Sequence, residues 1–235
     1  MLKAAYVGAM HAIAAPLRLA GVLPSLERAP RRSFRFWLAS QFAIHDPAAL
    51  VRLDTPWWTL PAIDAVERWI AARNGDVRAF EYGSGASTVW LARRCREVVT
   101  VEHDAGFAKY VAPLIARDNI RLKLVEPAIN VTAPATGSGR RGYEHADFSA
   151  YVDAIAGGGV YDLVIIDGRA RAACLARARE FLAPDGLIVF DNSARRRYRD
   201  ALTGVPVVRY RGWAPALPYP SETSLIEWPD QRAAA

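Results

Sequence analysis

Lysine is scarce in this chain: of 30 basic residues only Lys3, Lys109 and Lys123 are lysines, and the rest are arginines. Together with the abundance of alanine, this matches a GC-rich coding bias, so the net charge of +6 is a weak sign of nucleic-acid binding. Cysteine is nearly absent. Cys95 and Cys174 lie far apart with no Cys-x-x-Cys or Cys/His spacing, which excludes a disulfide framework and a zinc knuckle and leads us to expect a reducing, cytoplasmic compartment. A long clean apolar run is also missing. Residues 4–23 are apolar but are interrupted by His11, Pro16 and Arg18, so no transmembrane segment is expected, and no small-residue cleavage site precedes Pro24. That segment leaves a peripheral membrane or partner contact open. No solenoid-length repeat is present, and nothing fixes an oligomeric state.

What remains is an ordinary globular composition over 235 residues, 52% hydrophobic and 23% charged, which suits one domain with an extension. Prolines 24, 30, 47 and 56 divide residues 1–60 into short helical pieces, read as an N-terminal helical extension. Asp54-Thr55-Pro56 offers a cap with proline at the first helical position and predicts a helix running to about Arg73, stopped by Asn74-Gly75. Residues 61–235 then alternate. Strands are expected at 77–82, 98–102, 120–125, 162–167 and 187–191, with helices at 87–95, 105–117, 148–156, 172–182 and 194–202. Apolar strands separated by helices imply an α/β fold, a doubly wound, mostly parallel sheet covered on both faces. Residues 205–210 and 223–228 have no helix between them and should form an antiparallel pair at the sheet edge.

Ligands of such sheets bind beyond the carboxyl ends of the strands, near the point where strand order reverses. Four acids stand there: Glu81, Glu102, Asp167 and Asp191 each close an apolar strand. The first strand leads into Glu81-Tyr82-Gly83-Ser84-Gly85-Ala86-Ser87-Thr88, a glycine turn at a helix start. Thr88 stands where a dinucleotide site carries its third glycine, and a Glu81 carboxylate would repel a pyrophosphate and favour a cation. Glu102 follows at the spacing at which an acid reaches ribose hydroxyls. The pattern asks for a nucleoside carrying positive charge.

These residues resemble the class I S-adenosylmethionine-dependent methyltransferases. The Glu-x-Gly-x-Gly turn at 81–85 looks like their first motif, Val101-Glu102-His103-Asp104 like the end of their second strand, and Tyr161 to Asp167 like their fourth motif. The resemblance covers about residues 61–228 and implies a Rossmann-like fold that binds S-adenosylmethionine. It assigns Glu81 with Gly83 and Gly85 to the methionine portion and Glu102 to the ribose, with Tyr82, Ser84, Ser87, Thr88, His103 and Asp167 as further cofactor-binding candidates. No adenine-gripping position stands out. Asp167-Gly168-Arg169 and Asp191-Asn192 are further similar to the acids that hold magnesium in catechol-type O-methyltransferases, which makes Asp167, Asp191 and Asn192 candidate metal ligands. That family carries a lysine base three residues after the first Asp, and here Ala170 stands in its place. Capping of the following helix is the plainer role for Asp191 and Asn192.

Methyl transfer is an in-line displacement that asks mostly for alignment and dryness. A base helps a hydroxyl acceptor, and Asp167 and His145 are the candidates, with His103 considered beside them. Residues 127–145 form a long loop containing Gly137-Ser138-Gly139-Arg140-Arg141-Gly142, read as a lid or flexible loop rather than a phosphate site. Its arginines and Tyr143, with the run Arg195 to Arg199, could meet an acidic or sugar-like acceptor. The leading expectation is O-methylation of a small molecule or saccharide. An RNA methyltransferase is disfavoured without being excluded, because no Asn-Pro-Pro-Tyr-like segment follows the fourth strand and Cys174 is not preceded by proline. A non-catalytic cofactor- or partner-binding domain is the third reading.

Overall fold

The computed structural model describes residues 2–228. Four helices come first: α1 (Leu2–Leu19), α2 (Val22–Glu27), α3 (Phe34–Ser40) and α4 (Pro47–Arg52). Their starts follow local chemistry. Ser33 caps α3 by accepting the Phe36 N–H, and Asp46 caps α4 through the Ala49 N–H, with Pro47 in the first turn, where its missing N–H costs nothing. Pro16 is carried inside α1. Among the described residues no helix is long and apolar enough to cross a membrane.

The alternating region follows, with α5 (Leu60–Ala71), β1 (Arg78–Tyr82), α6 (Ala86–Ala92), β2 (Glu97–Glu102), α7 (Ala105–Val111), β3 (Ile120–Leu124), α8 (Ser149–Asp153), β4 (Tyr161–Ile166), α9 (Arg171–Ala178), β5 (Leu182–Asp191), β6 (Val207–Gly212) and β7 (Ser221–Ile226). The strands make one seven-stranded sheet in the order β3-β2-β1-β4-β5-β7-β6. β1 to β5 run parallel, and β7 inserts antiparallel between β5 and β6. Strand order reverses between β1 and β4, so a crevice opens beyond their carboxyl ends.

Period-two alternation sorts each strand between two cores. Phe80, Tyr82, Val99, Val101, Val164, Ile166, Ile188 and Phe190 face α8 and α9, where Tyr151, Val152, Cys174 and Leu175 cover them. Ala79, Val98, Leu163, Ile165, Leu187 and Val189 face α5 and α6, covered by Ile63, Val66, Ile70, Trp90 and Leu91. Leu163 to Ile166 are wholly buried, and each such side chain contributes about 1.5–3 kcal/mol.

Several expected elements differ, among them the helix expected at 105–117, which ends at Val111, and the one expected at 172–182, which ends at Ala178. The helix predicted from Pro56 begins at Leu60, because Asp54 adopts left-handed backbone (φ 48°) and is spent on Arg93 and Arg94 at 2.7 and 2.6 Å; Thr59 takes the cap position instead, and Pro61 sits in the first turn. Its stop is as read, with Asn74 and Gly75 both at positive φ. The helix expected at 194–202 is two single 3-10 turns, Arg196–Tyr198 and Asp200–Leu202. Adjacent arginines there give no apolar stripe to bury, and only Tyr198 and Leu202 reach the core. The last parallel strand starts five residues earlier than expected, at Leu182.

α3 and the start of α5 are fastened to the loop between β6 and β7. Trp37 donates its indole N–H to the Leu217 carbonyl, the Ala216 N–H donates to Ser40, and the Leu60 N–H donates to the Trp213 carbonyl. Trp58, fully buried, packs edge-on against Trp90 with centroids 5.7 Å apart.

Candidate active site

The turn after β1 is shaped by glycine at one exposed constraint. Gly83 has φ 98°, and a Cβ there would lie 2.9 Å from Gly168 Cα, so the β1 and β4 loops touch backbone to backbone. Gly168 is equally confined, since a Cβ would meet Tyr151 Oη and the Tyr82 carbonyl. The Tyr82 side chain turns away into the core and donates to the Val152 carbonyl at 2.7 Å, leaving only its backbone at the turn.

Glu81 lies beneath the turn, fully buried, and accepts hydrogen bonds from the Ser87 and Thr88 hydroxyls. Thr88 Oγ1 also accepts the Gly85 N–H at 2.9 Å, which explains threonine where a dinucleotide site has glycine. Burial outweighs both hydroxyls and pushes the Glu81 carboxyl up to about 8. Burial thus favours the protonated form of Glu81 and weakens the negative wall expected from the sequence.

Glu102 behaves oppositely. Burial would raise its pKa, but donors outweigh it: Ser84 N–H and Oγ reach Oε2 at 3.1 and 3.0 Å, and the His103 and Asp104 N–H groups reach Oε1 at 2.7 and 2.9 Å. The carboxylate stays ionised and ties the glycine turn to the end of β2. Asp104 in turn caps α7 through the Phe107 N–H. His103 is set among Tyr143, Phe148 and Tyr151, with centroids 5.8–6.0 Å away, and its Nδ1 is 2.6 Å from Glu102. Beside it, beyond β2 and β3, opens a cavity of about 310 Å³ lined by His103, Asp104, Gly106, Glu126, Pro127 and Tyr143. The sequence reading missed this pocket. Its walls come from the turn after β2 and from two separated stretches of the β3–α8 loop, a closeness that sequence spacing does not show. A larger surface cleft around Arg117 and Asn119 lies at the opposite, amino-terminal edge of the sheet.

Asp167 and Asp191, at the ends of β4 and β5, converge on one buried guanidinium. Arg171 donates Nη2 to Asp167 Oδ1 and to the Asp167 carbonyl, each at 2.6 Å, and Nε to the Gly168 carbonyl at 3.1 Å. Its Nη1 donates to the Asp191 carbonyl and lies 3.7 Å from Asp191 Oδ2. Burial would weaken the arginine's hold on its proton, yet the two acids outweigh it and the net shift is upward. Asp191 Oδ1 accepts the Thr223 hydroxyl at 2.7 Å, and that hydroxyl accepts the Thr59 N–H, linking the site to the N-terminal segment. A buried acid and a partly exposed one share one cation; desolvation pushes Asp191 up to about 7 and raises Asp167 as well, with Trp58 alongside.

A magnesium ion does not fit these residues. The place between the carboxylates belongs to Arg171, Asn192 is a left-handed turn residue (φ 54°) whose backbone faces Asp191, and no group of three or more His, Cys, Asp or Glu among the described residues is arranged to hold a metal. Ala170, at the position of the relatives' lysine, is buried and left-handed. His145 stands apart: its side chain is exposed, its neighbouring charge is Glu144, and nothing joins it to Asp167.

Against known proteins, a family model for a methyltransferase domain matches residues 80–193, which contain the glycine turn, Glu102, Asp167 and Asp191. An O-methyltransferase from Bacillus cereus, in complex with S-adenosylhomocysteine, shares the fold with TM-score 0.54 at 15% identity, over 81% of this chain and 98% of that one. The O-methyltransferase TomG from Streptomyces achromogenes, involved in tomaymycin synthesis and solved with S-adenosylmethionine, gives TM-score 0.52 at 18% identity, over 79% and 90%. No curated protein matches the sequence. Residues 80–193 therefore match a methyltransferase domain, and the Rossmann-like fold around them is shared with these O-methyltransferases.

Proposed function

We propose that the enzyme methylates a hydroxyl oxygen of a small molecule or saccharide, and that residues 61–228 form the catalytic domain with residues 1–60 as a wall of the site. The observation that carries this reading is the split of the crevice at the strand-order reversal. On the β1–β2 side lie a glycine turn without a charged side chain, an ionised Glu102 and a cavity walled in part by His103 and Tyr143; on the β4–β5 side lies Asp167, a carboxylate held at a fixed angle.

The donor's fit follows from these parts. The Gly83 turn carries no lysine or arginine to demand a phosphate, and Glu102 can exchange the Ser84 hydroxyl for ribose hydroxyls. Adenine then falls in the cavity beside His103 and Tyr143. The bound donor supplies an electrophilic methyl group on a sulfonium. Glu81, hydroxyl-bonded below the turn, acquires its negative charge when that cation sits above it. Asp167 accepts the acceptor's hydroxyl proton as the oxygen displaces the thioether, its raised pKa bringing it closer to the working range of a general base. His145 would need loop movement to take that role. Arg171 holds Asp167 in place and supplies the positive charge that a metal would bring, so the reaction requires no divalent ion. The two cysteines are free and buried, which supports a reducing, cytoplasmic setting.

Incubation of the purified enzyme with labelled donor and a panel of phenols and sugars tests the reading. Label recovered as a methyl ether supports it. Label recovered only on nitrogen, or only in RNA, replaces it.

A further inference from the structure

The long loop and the ends of β4 and β5 gather arginines, of which only Arg171 has acidic partners among the described residues. Arg169 and Arg171 follow β4, Arg195 and Arg197 follow β5, and Arg140 lies on the loop between β3 and α8. Arg169 neighbours Arg140 and lies over the Tyr143 ring, its Cζ 5.5 Å from the centroid. Its Nε is buried without a hydrogen-bond partner. Arg197 covers Tyr198 and donates to the Gly139 carbonyl at 3.4 Å, bringing the loop against the β5 end. Arg195 feels both Arg171 and Arg197. The acids at these strand ends, Asp167 and Asp191, are both engaged by Arg171.

Arg31, Arg78, Arg94 and Arg177 each have a carboxylate at 2.9 Å or less, whereas among the described residues none of Arg140, Arg169, Arg195 and Arg197 has one within ion-pair distance. Arg35 and Arg52 lack one too, so what sets the four apart is their gathering at one crevice. Burial and the neighbouring guanidiniums lower the pKa of Arg169, only partly offset by Tyr143, and Arg195, exposed at the β5 end, is lowered in the same way against Tyr198 and Asp191. Such charge at the mouth of a crevice is relieved by an anion, and planar guanidiniums suit two-oxygen groups.

We infer that the methyl acceptor is a small molecule bearing an oxyanion, a carboxylate or a phosphate, gripped by Arg169, Arg195 and Arg140 while its hydroxyl meets Asp167. The inference rests on the reading above, since it takes the β1–β2 side for the donor and leaves the β4–β5 side for the acceptor. A compact cluster walled by Tyr143 suits one oxyanion better than the extended phosphate track of a polynucleotide.

The test is calorimetric titration of the protein first with S-adenosylhomocysteine and then, once loaded, with inorganic phosphate, benzoate and neutral benzyl alcohol. Phosphate or benzoate should bind saturably, and which of the two binds names the oxyanion; benzyl alcohol should not. Arg169→Gln and Arg195→Gln should each weaken that binding about tenfold or more, while Arg117→Gln, at the far edge of the sheet, should leave it unchanged. Retained S-adenosylhomocysteine binding and thermal stability in both variants would show that the fold survives. Homocysteine-product binding with no saturable response to either anion, or equal response in wild type and both variants, would overturn the inference alone. Failure of S-adenosylhomocysteine to bind would overturn the donor-site reading instead. Tighter binding of a short single-stranded RNA, lost in the same two variants, would assign the cluster to a polyanion and also contradict the inference.

Discussion

Gly83 and Gly168 meet backbone to backbone across the strand-order reversal, with room for a Cβ on neither. The contact lets the β1 turn and the β4 loop form a single ledge. Gly83→Ala places a side chain 2.9 Å from Gly168 Cα at a φ of 98°, so both strain and displacement follow. We expect a loss of about 1–3 kcal/mol in stability and at least tenfold weaker S-adenosylhomocysteine binding, read by thermal melting and calorimetry. Gly137→Ala, where a Cβ meets nothing, should change neither.

Arg171 is the hinge of the acidic pair. Arg171→Ala leaves buried Asp191 and partly exposed Asp167 without their cation and should cost about 3 kcal/mol by urea denaturation. Arg171→Lys keeps the charge and loses the forked donors, so an intermediate loss is expected. In the wild type, methyl transfer should be indifferent to chelator and to added magnesium. Activity abolished by chelation and restored by magnesium would show that Arg171 yields its place to a metal.

Glu81 makes stability depend on pH with a definite sign. Its folded pKa of about 8 lies above the ordinary carboxylate value of 4.5, so the folded protein holds a proton that the unfolded chain gives up. The contribution is complete below about pH 4.5 and is lost as pH rises through about 8, at up to roughly 1.4 kcal/mol per pH unit. Glu81→Gln should flatten that part of the melting profile. Binding the cationic donor at pH 7 should release protons, detectable as a heat that varies with buffer ionisation enthalpy, and the release should vanish in Glu81→Gln.

The architecture was legible because burial leaves a plain trace. The apolar runs of β1, β2, β4 and β5 fall where expected, and the missing helix between β6 and β7 announced the antiparallel edge. Side-chain partnerships across elements left no such trace. Asp54 looked like a helix cap until Arg93 and Arg94, forty residues away, claimed it. Arg171 reads in the sequence as one arginine among many, yet it sits between acids from two strands. Glu81 was legible as an acid at a strand end but its charge was not, since protonation depends on depth and on the Ser87 and Thr88 hydroxyls.

The central claim is that an adenosyl donor sits on the Gly83 turn with Glu102 at its ribose, and titration of wild type and Glu102→Ala with S-adenosylhomocysteine and with NAD addresses it most directly. The account predicts one-to-one binding of S-adenosylhomocysteine to the wild type, about tenfold or more weaker in Glu102→Ala beyond any loss of thermal stability, and no NAD binding at that turn. NAD bound there in preference to the adenosyl compound, or an adenosyl affinity unmoved by the substitution, would contradict it.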